Sequence, residues 1–364
     1  MSGTNLVIDA DAHVNEDPLA WNELAEQHPG WLSAAQSAGR WVAEIEGKLY
    51  PRQDGPGCGV PIDASTNPRC AAGAVDVDTR LADMDSEGID IQVLYGGLIL
   101  GVSGYDDAGF ALDVCHAYND WLLAKICGHA PDRLKGIAVA PIQDVTRAIA
   151  ETERAAGLGA VGVTIPPVVG AANLDNPTLQ PFFEACATLD LAVGIHSAPG
   201  MNLPLPGAER FDNYAMVHAL SFSVDQMVAL TALALGGVLD RYPALRVAFL
   251  ESGVGWVPYF VHRLGEHVEK LPHLLPGGVS DPRALVERGQ CYFSFEAEEP
   301  MLAEYVEHLG DSSLVYASDY PHWDSDFPGT VEEIRRSGLP EPTLARALGE
   351  NAARLYGLNQ HSRV

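Results

Sequence analysis

Apolar residues along this chain gather into short unbroken runs, separated by stretches in which they recur every three or four positions. Eight runs are rich in Val, Ile, Leu or Ala: "LVIDA" (6–10), "IQVL" (91–94), "GIAVA" (136–140), "AVGVTI" (160–165), "AVGIH" (192–196), "VAFLE" (247–251), "CYFSF" (291–295) and "LVYAS" (314–318). Continuous runs, as opposed to alternating ones, suit parallel strands covered on both faces. The segments between them include "FALDVCHAYNDWLLAKICGH", "VTRAIAETERAAGLG" and "LQPFFEACATLDL", whose spacing is that of amphipathic helices. Eight strand–helix units predict an α/β fold, a closed (β/α)8 TIM barrel. No internal repeat or polar linker interrupts the 364 residues, so a single domain over 1–364 is expected.

Two spacings are uneven. About eighty residues separate the first two strands, which predicts a cap insertion at about 14–79 whose Gly- and Pro-rich part, 50–76, is irregular. A second long loop, "HSAPGMNLPLPGAERFDNYAMVH" (196–218), follows the fifth strand. Both leave the carboxyl ends of strands, where barrel active sites are built.

Polar residues at those strand ends carry the candidate chemistry. The first strand offers Asp9, Asp11 and His13 at alternate positions, which would share one face of a regular strand. The fifth ends in His196, the sixth in Glu251, the seventh in Glu296 and the eighth at Asp319. Buried carboxylates are costly without a cation, and imidazoles with carboxylates form a ligand set for zinc or manganese. Asp9 is expected to support the ligands from behind.

Charge changes the picture of partners. The chain carries 22 Lys+Arg against 49 Asp+Glu, a formal charge of -27, which argues against nucleic acid. An anionic small-molecule substrate would need local cations to overcome that field, and a metal ion supplies one. No charge-poor run long enough to cross a bilayer and no secretory signal is visible, so a cytoplasmic protein with no membrane association is expected. The cysteines are scattered without a C-x-x-C pair, which argues for reduced packing residues. Neither a phosphate-cradling glycine motif nor a G-x-S-x-G nucleophile turn occurs.

The D-x-H of "DADAHVNE", "GIHSA" (194–198), "YASDYPHWD" (316–324) and "GENAARLYGL" (349–358) together resemble the amidohydrolase-related family. The resemblance is to the branch that includes aminocarboxymuconate semialdehyde, resorcylate and carboxyvanillate decarboxylases. It runs nearly end to end, through "RLADMDSEGIDIQVLY" and "DRYPALRVAFLESGVGW". It implies one divalent ion, Zn2+ with Mn2+ as the alternative, held by Asp11, His13, His196 and Asp319. Asp319 would also handle protons. Arg263 matches an arginine that in some relatives reaches a neighbouring subunit's site and grips substrate carboxylate, which implies a homodimer.

One departure stands out. Where the decarboxylases carry a catalytic histidine after the sixth strand, this chain has "LESGVGWVP", with Ser252 at that place, or Glu251 on a one-residue shift. A base near neutral pH would then be Glu251 with a raised pKa, or His218 folding in from the long loop. His322, Glu296 and the cap arginines Arg52 and Arg69 are candidates for holding substrate, as is Arg210, while Trp256 reads as core. Two reactions fit: non-oxidative decarboxylation of a small aromatic or unsaturated carboxylic acid, or metal-dependent hydrolysis of an amide, lactone or activated carbon–carbon bond.

Overall fold

A computed structural model describes residues 6–16, 24, 26–28, 32–37, 40–60 and 72–358. Arg69 lies outside the described residues, and so does most of the expected irregular stretch 50–76 beyond residue 60. The eight strands are β1 (Ile8–His13), β2 (Ile91–Tyr95), β3 (Leu134–Val139), β4 (Gly162–Ile165), β5 (Ala192–Ile195), β6 (Val247–Phe249), β7 (Cys291–Phe295) and β8 (Leu314–Tyr316). They pair in parallel in chain order. Beyond the ladder, the His13 N–H donates to Tyr320 O and the Asp319 N–H to Asp11 O, which joins the eighth strand's exit to the first. The arrangement is the expected TIM barrel.

Several strands end earlier than their apolar runs, although the next N–H can still pair across the sheet, as that of Leu250 does with Ile195 O. β6 stops at Phe249, for example, and the Glu251 N–H donates to Ser294 Oγ at 2.9 Å. Helices α1 (Val77–Glu87), α2 (Ala108–Asp120), α3 (Val145–Gly157), α4 (Gln180–Thr188), α5 (Tyr214–Leu235), α6 (Val257–Lys270) and α7 (Leu302–Leu309) surround the strands. Their starts follow the usual capping logic. Asp76 accepts from the Thr79 N–H at the head of α1, and Gly88, in a left-handed conformation no other residue adopts cheaply, ends it.

Inside the barrel, Ile8, Ala10, Ile91, Val93, Tyr95, Ala192 and Ala248 pack together, sealed at one end by Ala352, Leu355 and Tyr356. The larger apolar layer, between strands and helices, contains Ala12, Leu94, Phe182, Phe249 and Phe293. Membership of β1 therefore changes along its length. The pairing register explains this: Asp9 faces Gln92 and Ala12 faces Leu94, so three steps on β1 match two on β2. This bulge corrects the expectation that Asp9, Asp11 and His13 share a face. Asp9 turns outward to Gln92 and Ser318, while Asp11 and His13 reach the barrel mouth.

Residues described in the cap include a three-stranded antiparallel sheet, Leu32–Ser37, Arg40–Ile45 and Lys48–Tyr50. The loop after β5 is shorter than the sequence suggested, because its last residues are already the first turn of α5. One correction concerns membranes: α5 is, by length and composition, long and apolar enough to cross one. Its partners here are barrel strands, since Gln226 Nε2 donates to both Ile195 O and Leu250 O at the ends of β5 and β6.

Candidate active site

At the carboxyl ends of the strands, five buried polar atoms converge without a hydrogen-bond partner: Asp11 Oδ1, His13 Nε2, His196 Nε2, Glu251 Oε2 and Asp319 Oδ1. Asp11 and His13 come from β1, His196 follows β5, Glu251 follows β6 and Asp319 follows β8. His13 Nε2 lies 3.5 Å from Asp11 Oδ1 and 3.3 Å from Asp319 Oδ1. His196 Nε2 lies 3.9 Å from Asp11 Oδ2 and 3.0 Å from Glu251 Oε2, the latter without hydrogen-bond alignment.

The imidazoles are oriented from behind. His13 Nδ1 donates to Gly96 O at 2.9 Å and His196 Nδ1 to Ser197 O at 2.7 Å. Each bond fixes the tautomer in which the Nε2 lone pair faces the cluster, the arrangement of a metal-ligating histidine. Asp319 is held by its neighbour: the Ser318 N–H donates to Asp9 Oδ1 at 2.9 Å and the Ser318 hydroxyl to Asp9 Oδ2 at 2.5 Å. Asp9 thus braces the exit of the eighth strand through Ser318.

Two of the converging residues are non-glycine residues in the left-handed region, Glu251 at φ 54° and Asp319 at φ 52°. Such a backbone costs on the order of 1–3 kcal/mol and persists where the surrounding structure imposes it. Here it aims each carboxylate across the mouth.

The electrostatics of the cluster point to a cation. Burial pushes the Asp11 carboxyl up to about 7 despite the pull of His196. Burial also drives Asp319 well above the carboxylate range, beyond what His322 offsets. Burial and the facing His322 and His196 hold the His13 imidazole well below its ordinary value, so it is a neutral donor. Glu251, which burial alone would raise, is kept below its usual range by His196 and His322. Acids this close stay together only with protons or a cation between them. Two imidazoles and several carboxylates, in two overlapping groups that share His13, fit a divalent cation, and Asp11, His13, His196 and Asp319 would hold it.

His322, a loop residue in the sequence, belongs to the cluster. Its Nδ1 lies 2.7 Å from Asp319 Oδ1 and 3.7 Å from Glu251 Oε1, and its ring stacks on His13 with centroids 4.0 Å apart. Above it opens a cavity of about 350 Å³ walled by Leu98, Leu100, Met201, Tyr214, Phe222 and Trp323. His218 also faces this cavity, and its position corrects the expectation: it stands on the first turns of α5, not on a loop, with Nε2 3.5 Å from Asp324 Oδ2.

The other candidates fall differently. Ser252 turns away from the cluster and accepts from Trp256 Nε1 at 3.3 Å, so Glu251, not Ser252, is the residue the sixth strand's turn presents. Trp256 packs on Phe260 and Phe293, as core. Glu296 is partly buried and outside the ligand cluster, its carboxyl pushed up to about 8 by burial and by Glu251. Arg52 ties its backbone to Gly200, and Arg210 and Arg263 are exposed; none of the three lines the cavity among the described residues. Sequence reasoning missed Trp323, Asp324, Tyr214 and Phe222. The spacing of Tyr214, His218 and Phe222 at four residues was the available signal that they share one helix face.

The family model for amidohydrolases matches residues 8–358. The chain is 27% identical to the 2-amino-3-carboxymuconate-6-semialdehyde decarboxylase of Dictyostelium discoideum over 96% of its own length and 91% of the relative's. It is similar in structure to 5-carboxyvanillate decarboxylase from Sphingomonas paucimobilis, with a TM-score of 0.74, 24% identity, and 98% and 100% of the two chains covered. A dihydroxybenzoic acid decarboxylase from Polaromonas sp., solved with manganese and the inhibitor 2-nitroresorcinol, superimposes with a TM-score of 0.71 at 18% identity, covering 99% and 100% of the chains.

Proposed function

This chain belongs to the amidohydrolase family, and from that premise we propose that it is a divalent-metal-dependent, non-oxidative decarboxylase of a small aromatic or unsaturated carboxylic acid. The observation that carries the reading is the convergence of unpartnered Asp11, His13, His196 and Asp319 atoms beneath an apolar cavity of about 350 Å³. When bound, a divalent cation there supplies electrostatic stabilisation for charge that develops on the substrate. We assign Asp11, His13, His196 and Asp319 as its ligands. Zn2+ and Mn2+ both suit this donor set, and Zn2+ is the first to test.

The chain's own residues account for the remaining chemistry. The apolar walls Leu98, Leu100 and Phe222 take up the substrate's ring and exclude water from the reacting carbon. Decarboxylation breaks one carbon–carbon bond, releases carbon dioxide and requires a proton at the vacated carbon. Asp319, whose Oδ1 lies 2.7 Å from His322 Nδ1, holds that proton and delivers it. Glu251, placed between His196 and His322, sets the charge and orientation of both imidazoles. His218 lines the cavity and meets the substrate from α5, whereas Arg52 and Glu296, which do not line it among the described residues, are assigned no direct contact.

We further read the chain as one domain, a cytoplasmic homodimer whose Arg263 reaches the partner's site. Support for the dimer is that Arg263 is exposed on α6 beside Tyr259, an aromatic residue 63% exposed. Metal-loaded protein incubated with ortho-hydroxy aromatic acids should release carbon dioxide. Uptake of solvent oxygen-18 into product without carbon dioxide would instead establish the hydrolase.

A further inference from the structure

Arg80 on α1 is one of the largest fully buried side chains described, 1% exposed, and among the described residues it forms no ion pair with a carboxylate. Its cationic head is spent on neutral acceptors. Nε donates to Gly73 O at 3.0 Å, Nη1 to Gln92 Oε1 at 3.0 Å and Nη2 to His13 O at 2.5 Å. The guanidinium also lies over the Tyr320 ring, 4.7 Å from its centroid. Those contacts reach four separate segments: the end of the cap, β2, the last residue of β1, and the residue after Asp319. Gln92 extends the chain, since its Nε2 donates to Asp9 Oδ2 at 3.0 Å, and Asp9 in turn binds Ser318.

Burying an arginine so completely is expensive, and the cost is offset here by three hydrogen bonds and an aromatic face. Fold stability alone does not require those particular acceptors. What they have in common is the two backbone crossings that close the barrel at its mouth, the His13 N–H to Tyr320 O at 2.6 Å and the Asp319 N–H to Asp11 O at 3.1 Å. Both crossings join one candidate ligand strand to the other. Gly73 shows how closely the parts fit, because a Cβ there would stand 1.8 Å from Tyr320 Oη.

We propose that Arg80 is a positioning residue: its guanidinium clamps the His13 carbonyl, the Gln92–Asp9–Ser318 chain and the Tyr320 ring, and so holds the β1 and β8 ligands at one point. This deepens the metal-centre reading and can be tested apart from it. Arg80→Lys keeps the charge and the aromatic contact but cannot serve three acceptors in a fork; Arg80→Gln removes the charge.

The experiment is amide hydrogen exchange on the metal-free protein, followed by Mn2+ binding by electron paramagnetic resonance. In Arg80→Lys, the His13 and Asp319 amides should lose protection selectively, while those of Val193 and Gly194 on β5 keep theirs. Mn2+ should bind about 10–100-fold more weakly, the range for loss of a residue that orients metal ligands, and Arg80→Gln should be weaker still if it folds. Unchanged or uniformly reduced protection in Arg80→Lys overturns the proposal. Should wild-type protein take up no Mn2+, the metal reading fails, and the exchange pattern alone still decides the role of Arg80.

Discussion

The imidazole of His322 sits 2.7 Å from the Asp319 carboxylate while its face stacks on His13, 4.0 Å between centroids. It therefore touches the acid assigned to proton delivery without being one of the four assigned ligands. Replacing His322 by Asn should cut kcat by about 10²–10⁴, the usual contribution of a positioned proton-transfer group, and leave metal content near the wild-type value. Steady-state rates alongside metal analysis check this; a variant with wild-type kcat would remove His322 from the proton path.

Asp319 itself is expected to be indispensable. Asp319→Asn should abolish turnover with the circular dichroism spectrum unchanged, and near-normal activity would take Asp319 out of the mechanism. His13→Ala, which removes an imidazole whose Nδ1 is already committed to Gly96 O, should lower bound metal severalfold.

Chelation should lower thermal stability as well as activity. The ligand atoms meet as unpartnered, mutually repelling groups, so a cation stabilises the native state by mass action, about 4 kcal/mol at a thousandfold excess over Kd. Differential scanning calorimetry with and without chelator reads this, and equal Tm values would contradict it.

The backbone at Glu251 offers a separable test. A glycine tolerates φ 54° at no steric cost, so Glu251→Gly should stabilise the metal-free protein by about 1 kcal/mol while reducing turnover. Denaturant melts of the two proteins measure the difference, and a destabilised variant would show that the His196 contact outweighs the strain.

A buried acid outside the cluster gives a pH dependence. Asp225 on α5 is fully buried and accepts from the Ser197 hydroxyl at 2.8 Å; burial pushes its carboxyl up to about 7, with that hydrogen bond opposing and Glu209 adding. Between the unfolded value near 4 and 7 the native state holds the proton and the unfolded chain does not. Stability therefore falls as pH rises through that window and stays lower above it. Asp225→Asn should be more stable than wild type by about 1–3 kcal/mol at pH 8, within the roughly 4 kcal/mol set by a three-unit shift, and nearly equal at pH 4. Parallel melts across pH check the convergence.

The barrel was legible because apolar runs and amphipathic spacing depend only on local sequence, and each strand followed its run. His13, His196 and Asp319 were legible as polar residues ending such runs. What escaped notice depended on register and tertiary contact. The bulge that turns Asp9 away from Asp11 arises from pairing with Gln92 and Leu94, which no alternation in "IDADAH" reveals. His322 joins the cluster only because the chain reverses at Asp319, and His218 faces the cavity because α5 begins sooner than its Asn- and Pro-rich approach suggests. Arg80 reads as an ordinary helix cation until the structure buries it.

Anomalous diffraction from a crystal loaded with Mn2+ tests the metal centre most directly. The account predicts one peak at the barrel mouth, within bonding distance of His13 Nε2, His196 Nε2 and the Asp11 and Asp319 carboxylates. A peak elsewhere, or none in loaded protein that remains folded, would contradict it.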